Sequence, residues 1–135
     1  MPVASVSLNA SQILNLYNQP VIAVPIAPTP NVNVVQNVFF GLTGGDLSVP
    51  AGSLIIITDS SLKNQFASAP LNELFSYQQY GQCCISSPSN QCASIAPYLI
   101  GQPLYVFSTG KISGSSGIMK VTVWYDTTTI QLENS

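Results

Sequence analysis

At 135 residues the chain suits a single domain with one hydrophobic core, and only 6% of its residues are charged, against about 25% in an ordinary soluble domain. The absence of histidine excludes a Ser-His-Asp triad, a histidine metal site and an imidazole pH switch. With no arginine and three scattered lysines, the chain cannot clamp phosphate groups or neutralise a nucleic-acid backbone, so we expect no direct nucleic-acid binding.

Short apolar runs recur along the chain, and each is rich in β-branched, aliphatic or aromatic residues. Apolar and polar residues alternate over residues 6–10, over 32–40 with one shift in phase, and over 121–126. An aliphatic run at 54–57 and an aromatic-rich run at 104–107 are both bounded by turn residues. Runs of about four to eight residues with this composition predict strands.

The first 31 residues have a character of their own, because Pro20, Pro25, Pro28 and Pro30 lie close together there. Proline has no N–H to donate to a strand ladder, so this segment cannot be a central strand throughout. We predict that residues 1–31 form an edge strand or an extended N-terminal arm. Such an arm wraps its own domain or lies on a neighbouring subunit.

Ten prolines and nine glycines leave few windows for a helix of three turns. Residues 12–17 are a candidate for a short helix, and residues 70–77 suit a helical turn and a strand equally well. Glycines at 41–46 predict a loop, and the segment 113–117, which joins two strong strands, predicts a β-hairpin. We expect an all-β fold in which residues 1–135 form a single jelly-roll β-sandwich of about eight antiparallel strands.

Three cysteines, Cys83, Cys84 and Cys92, lie close together in the sequence. They lack the Cys-x2-Cys pair and the histidines of a zinc site, so we expect no bound metal. A disulfide between Cys92 and either Cys83 or Cys84 would close a short loop and stabilise the fold by about 2–3 kcal/mol. The third cysteine would stay free or join subunits, and three reduced thiols are the alternative.

The five acidic residues are the candidates for acid–base chemistry, and a glycosidase pair could come from any two of them. A calcium site needs clustered carboxylates, and no two of these acids lie within ten positions except Asp126 and Glu133. Asp59 with Ser60 and Ser61 superficially resembles an aspartic-protease loop but lacks its glycine. We therefore expect no enzyme activity, no catalytic residues and no cofactor. The acids are predicted to be solvated loop and strand-end residues: Asp46, Asp59, Glu73, Asp126 and Glu133.

Two further patterns suggest modification or binding. Asn9 begins an Asn-x-Ser sequence and is a candidate glycosylation site. Several aromatic residues are candidates for a sugar-binding or interface surface, with packing in the core as the alternative. They are Tyr77, Tyr80, Tyr98, Trp124 and Tyr125.

The low charge also bears on the surface and on acid. A surface of amides and hydroxyls buries against other copies without the cost of desolvating ions, and a net charge near zero promotes association. With five side-chain carboxylates to titrate, the chain is expected to keep its melting temperature nearly flat from neutral pH to about pH 3. No stretch approaches the about 20 apolar residues of a spanning helix, and the N-terminus lacks the features of a secretory signal peptide.

Three segments carry a resemblance to a known family: VPAGSLIII at 49–57, QPLYVFSTG at 102–110 and GIMKVTVWYD at 117–126. They resemble the D, G and H strands of single jelly-roll capsid proteins. The Arg-free composition, rich in Tyr, Ser, Asn and Ile, is similar to that of virion proteins from archaeal viruses of hot acidic springs, such as the Sulfolobus polyhedral viruses (portogloboviruses).

The resemblance implies a virion protein that assembles with other copies and other capsid proteins into an icosahedral shell, over an internal membrane or a nucleocapsid layer. It brings no catalytic residues. The alternatives are a β-sandwich adhesin, spike or carbohydrate-binding module that uses Trp124, Tyr125 and the loop near Cys83, and a pilus or surface-layer subunit.

Overall fold

Two β-sheets packed face to face make up the protein, as a computed structural model shows for residues 2–62, 65–83 and 101–129. The elements are β1 (Val3–Leu8), α1 (Ala10–Leu14), β2 (Val21–Val24), β3 (Asn31–Thr43), β4 (Leu54–Thr58), β5 (Gln65–Pro70), α2 (Leu71–Tyr77), β6 (Gln79–Cys83), β7 (Leu104–Ser108) and β8 (Ile118–Thr129). The first sheet has the order β1-β8-β3-β6 and the second β2-β7-β4-β5. The predicted all-β sandwich of about eight antiparallel strands is confirmed.

The strand pairing is nested along the chain. β1 pairs with β8, β2 with β7, β3 with β6 and β4 with β5, all antiparallel. The ladders β3–β8 and β4–β7 join these pairs side by side. This is the pairing of one long antiparallel hairpin that has been folded over on itself, with its turn between β4 and β5.

The core lies between the sheets and is built by alternate residues of each strand. On β8, for example, Met119, Val121 and Val123 are fully buried and point inward. α1 and α2 close the core at its margins with Ile13, Leu71 and Leu74, which are also fully buried. The inward residues of the other strands include Leu8, Val24, Val38, Phe40, Leu42, Ile55, Ile57, Ala67, Ala69, Leu104 and Val106.

The hairpin predicted at residues 113–117 is wrong. β7 lies in the second sheet and β8 in the first, so the segment between them crosses the sandwich. Ser113 is held instead by Ser48 of the β3–β4 connection, through two backbone hydrogen bonds of 2.9 and 2.8 Å. A segment of glycine and serine between two strands can form either a hairpin or a connection from one sheet to the other. The sequence does not distinguish the two, because the strands that pair with β7 and β8 are distant in the chain.

The loop predicted at residues 41–46 begins later than expected. β3 continues to Thr43, and Leu42 is 6% exposed within the core. Gly41 is accommodated because the Phe39 ring lies over it; a Cβ at Gly41 would sit 3.4 Å from that ring. β3 and β8 are 13 and 12 residues long, longer than the predicted strands, since each runs alongside the other over its whole length.

The N-terminal segment supplies two strands. β1 lies at the edge of the first sheet and β2 at the edge of the second, and Pro20 and Pro25 flank β2 directly. α1 begins at Ala10, earlier than predicted, and residues 71–77 are helical. Jelly-roll strands are lettered B to I, so strands D, G and H are the third, sixth and seventh in chain order. The three segments that resemble them instead hold the fourth, seventh and eighth strands, β4, β7 and β8, because two strands precede β3.

Candidate functional site

The acidic residues lie on separate elements. Asp46 is in the β3–β4 connection, Asp59 follows β4, Glu73 lies on α2 and Asp126 on β8, while Glu133 lies outside the described residues. Within residues 2–62, 65–83 and 101–129, no three His, Cys, Asp or Glu side chains are grouped so that they could hold a metal ion.

Asp59 is buried, with 1% of its surface exposed, so the prediction of a solvated acid is wrong at this position. Its Oδ1 accepts hydrogen bonds from the Ser61 backbone N at 3.0 Å and the Ser61 Oγ at 2.5 Å. Its backbone oxygen accepts a further bond from the Leu62 N at 3.1 Å. These bonds organise the turn between β4 and β5, so the residues that superficially resemble a protease loop have a structural role.

Asp46 fastens two connections at one end of the sandwich. Its Oδ1 accepts hydrogen bonds from the backbone N of Ser115 at 2.8 Å and of Ser116 at 3.0 Å, and its Oδ2 accepts one from the Ser115 Oγ at 2.8 Å. These bonds, with the backbone N–H of Ser115 as the largest contributor, lower the pKa of Asp46 to about 2. The carboxylate is thus a hydrogen-bond acceptor for the neighbouring loop.

Two glycines allow the connections to meet this closely. A Cβ on Gly45, which has φ +103°, would lie 2.5 Å from the Ser116 carbonyl oxygen. A Cβ on Gly114, with φ +141°, would lie 2.9 Å from the Asp46 carbonyl oxygen. The close contact between the two connections therefore requires residues without a Cβ at both positions.

The cysteine prediction falls mainly outside the described residues. Cys83 ends β6, where its backbone pairs with Asn37 of β3. Cys84 and Cys92 lie outside the described residues. The disulfide therefore stays a prediction.

Asn9 is exposed and caps α1. Its Oδ1 accepts from the Gln12 N at 2.9 Å, and the Gln12 Oε1 accepts from the Asn9 N at 3.0 Å. This reciprocal pair is a capping box. The cap accounts for an asparagine at this position, and its glycosylation stays a prediction.

The aromatic candidates that the structure describes do not form one surface. Tyr80 and Tyr125 pack against the core, whereas Tyr77 is 72% exposed at the end of α2. Trp124 lies half-buried on the other face of β8, and Tyr98 lies outside the described residues. Stacking occurs elsewhere, between Tyr17 and Phe107, whose ring centroids are 6.5 Å apart.

The outer face of the first sheet is the surface that the sequence analysis missed. It carries the strand residues that alternate with the buried ones, and large apolar side chains remain open on it: Val3 is 53% exposed, Phe39 39% and Ile118 57%. The face comprises Val3, Ser5, Ser7, Val34, Asn37, Phe39, Gly41, Thr43, Gln79, Gly81, Ile118, Lys120, Thr122, Trp124 and Asp126. Strand pairing was needed to find it, since its residues come from four separate segments.

A shallow groove lies on this outer face. It has a volume of about 290 Å³ and is lined by Phe39, Gly41, Gln79 and Lys120, among others. Gly41 and Gly81 leave the space that the Phe39 ring partly fills. The groove places the apolar ring of Phe39 near the ammonium group of Lys120, a combination that suits contact with another protein surface.

No protein-family profile, no curated protein and no solved structure matches the chain. Among the described helices, none has both the length and the apolar character to cross a membrane. The fold itself is an all-β sandwich of two four-stranded antiparallel sheets.

Proposed function

We propose that this protein is a viral structural protein, a jelly-roll capsid subunit that self-assembles into an icosahedral shell. The observation that carries the proposal is the nested pairing of β1 with β8, β2 with β7, β3 with β6 and β4 with β5. A jelly roll consists of eight strands in two sheets and is a fold of viral capsid domains. The strand order supports assigning the segments at 49–57, 102–110 and 117–126 to strands E, H and I.

The surface chemistry supports self-assembly. Only 6% of the residues are charged, so most polar contacts between copies would be made by uncharged amides and hydroxyls. Burying such groups costs less than burying ions. The open apolar side chains of the outer face add area that favours contact with another protein surface.

The proposed partners are other copies of the chain and other capsid proteins. The lysines in the described residues, Lys111 and Lys120, lie on different elements and make no basic patch. A coat that wraps nucleic acid directly needs clustered cations. A membrane or a nucleocapsid layer beneath the shell would separate this protein from the genome.

A carbohydrate-binding domain is the second candidate, because jelly rolls also occur in lectins. The exposed ring of Tyr77 favours it. The dispersal of the other aromatic candidates counts against it, since sugar rings are usually held between groups that converge in one pocket. A pilus or surface-layer subunit would have the same neutral surface but would form fibres or flat lattices.

The test is light scattering over a concentration series, followed by negative-stain microscopy of the particles formed. Closed isometric shells are the expected result. Helical fibres or flat sheets would support the pilus or surface-layer alternative. A stable monomer at high concentration that binds glycans would overturn the capsid proposal in favour of the lectin-like one.

A further inference from the structure

The outer face carries two charged side chains among its described residues, and they have opposite signs. Lys120 and Asp126 both project from β8, and both are exposed. Because successive residues of a strand alternate between faces, residues 120, 122, 124 and 126 share one side. The inward residues Met119, Val121 and Val123 are fully buried, which fixes the side on which the charges lie.

The two charges lie at equal distances from Val123. They are six positions apart along the strand, or about 20 Å. Between them lie Thr122 and Trp124, the latter half-buried. An arrangement of this kind is self-complementary: when a second β8 is laid antiparallel over the first with Val123 over Val123, each Lys120 comes opposite an Asp126.

The neighbouring strands fit the same arrangement. Val3 flanks Trp124, and Phe39 flanks Thr122, in register across β1 and β3. Turning the face over about an axis across the strands sets Trp124 of one copy opposite Thr122 of the other. Trp124, Val3 and Phe39 then lie between the two charged pairs, while Ile118 lies beyond Lys120 at one end of the face.

We propose that a second copy of this chain packs on the outer face of the first sheet, about a two-fold axis at Val123 that pairs Lys120 of each copy with Asp126 of the other. The inference deepens the proposed function, on which it rests, by naming the contact between two capsid subunits. Aligned packing of two sheets face to face is a standard arrangement within sandwich folds and is used here between copies.

Charge reversal on the full chain tests the pairing. In a two-fold interface every substitution acts twice, so Lys120→Glu or Asp126→Lys replaces two attractions with two repulsions. Each single reversal is expected to weaken self-association at least about tenfold in sedimentation velocity at low salt. The double variant K120E/D126K restores the opposite-sign pairs and is expected to return to within about threefold of wild type.

Matched controls are Lys111→Glu and Glu73→Lys, which reverse exposed charges away from the face and should leave association unchanged. The chain has one tryptophan, Trp124, so its fluorescence reports directly on the outer face. Its emission is expected to shift to the blue as wild type and the double variant associate. At the same concentrations the emission of the single reversals should stay unshifted.

The outcomes separate this inference from the proposed function. Shells that form equally well in wild type and in both single reversals, with no change at Trp124, would overturn the two-fold contact and leave the capsid proposal standing. Dimers that respond to the reversals and recover in the double variant, but never grow into particles, would support the contact and overturn the capsid proposal. A wild type that stays monomeric throughout would overturn both.

Discussion

At the scale of single residues, Asp46 shows how one exposed carboxylate organises distant parts of the chain. It receives three hydrogen bonds from Ser115 and Ser116, which lie 69 and 70 positions further along. Sequence analysis predicts a solvated loop acid here. Exposure is consistent with that prediction, but the partners could not be read from the sequence because they meet only through the crossing of the β7–β8 connection.

The pKa of Asp46 predicts a particular dependence of stability on pH. Because its folded-state pKa of about 2 lies below the ordinary 3.8, the ionised side chain contributes stability that is fully present above pH 3.8. That contribution is lost as the pH falls through about 2. This shortens the range of flat melting temperature that the sequence predicts, from about pH 3 to about pH 4 at its lower end. Below that pH the decline should be modest, because the group is exposed.

Asp46→Asn tests this dependence by thermal melting between pH 7 and pH 2. The variant is expected to melt below wild type at neutral pH, since an amide cannot accept all three hydrogen bonds. The two curves should converge near pH 2. Ser115→Ala, which removes one donor, is expected to lie between them, and an Asp46→Asn curve parallel to wild type at every pH would contradict the role of the carboxylate.

At the scale of elements, β3 illustrates how far alternation can be trusted. The valines and phenylalanines of residues 32–40 predict a strand, and the strand is there. The shift in phase corresponds to a bulge between Val35 and Asn37 opposite β8. The extension to Thr43 was not predicted, because Gly41 by itself indicates a loop. The sequence does not show that the Phe39 ring lies over Gly41 within the strand.

Phe40 and Phe39 are adjacent on β3 and offer a matched pair for testing the two faces. Phe40 is fully buried, so Phe40→Ala should cost about 3–5 kcal/mol through lost burial and the cavity left behind. Phe39 is 39% exposed, so Phe39→Ala should cost about 1 kcal/mol, mainly through lost contact with Gly41 and Gly81. Urea unfolding of both variants measures the difference, and equal losses would contradict the assignment of faces.

At the scale of the whole molecule, the lysines do not form a cluster among the described residues. Of the three lysines, Lys111 lies in the β7–β8 connection and Lys120 on the outer face, while Lys63 lies outside the described residues. The described residues carry no cationic patch, and a surface without one gains little from releasing the counterions of nucleic acid. We therefore keep the prediction that the protein does not bind nucleic acid directly, and a binding measurement can test it.

Fluorescence anisotropy with a labelled DNA duplex at about 50 mM salt tests this expectation. We expect no saturable binding at protein concentrations up to about 10 μM, where non-specific DNA-binding proteins already bind. A variant carrying Ser5→Lys, Ser7→Lys and Thr122→Lys beside Lys120 provides the positive control, since it creates a basic patch on the same face. Salt-sensitive binding by the wild type would contradict the prediction and reopen direct contact with a genome.

The sequence by itself predicted the class of fold, a strand number of about eight and the exclusion of chemistry that needs histidine or arginine. Alternation, turn residues and composition are local properties, and each strand expresses them whatever its partner is. Only the tertiary structure decided which strands pair, that residues 113–117 cross between sheets, and that Asp46 reaches Ser115. It alone gathered Lys120, Trp124 and Asp126 with Val3 and Phe39 on one face, because β-pairing joins residues that lie far apart in the chain.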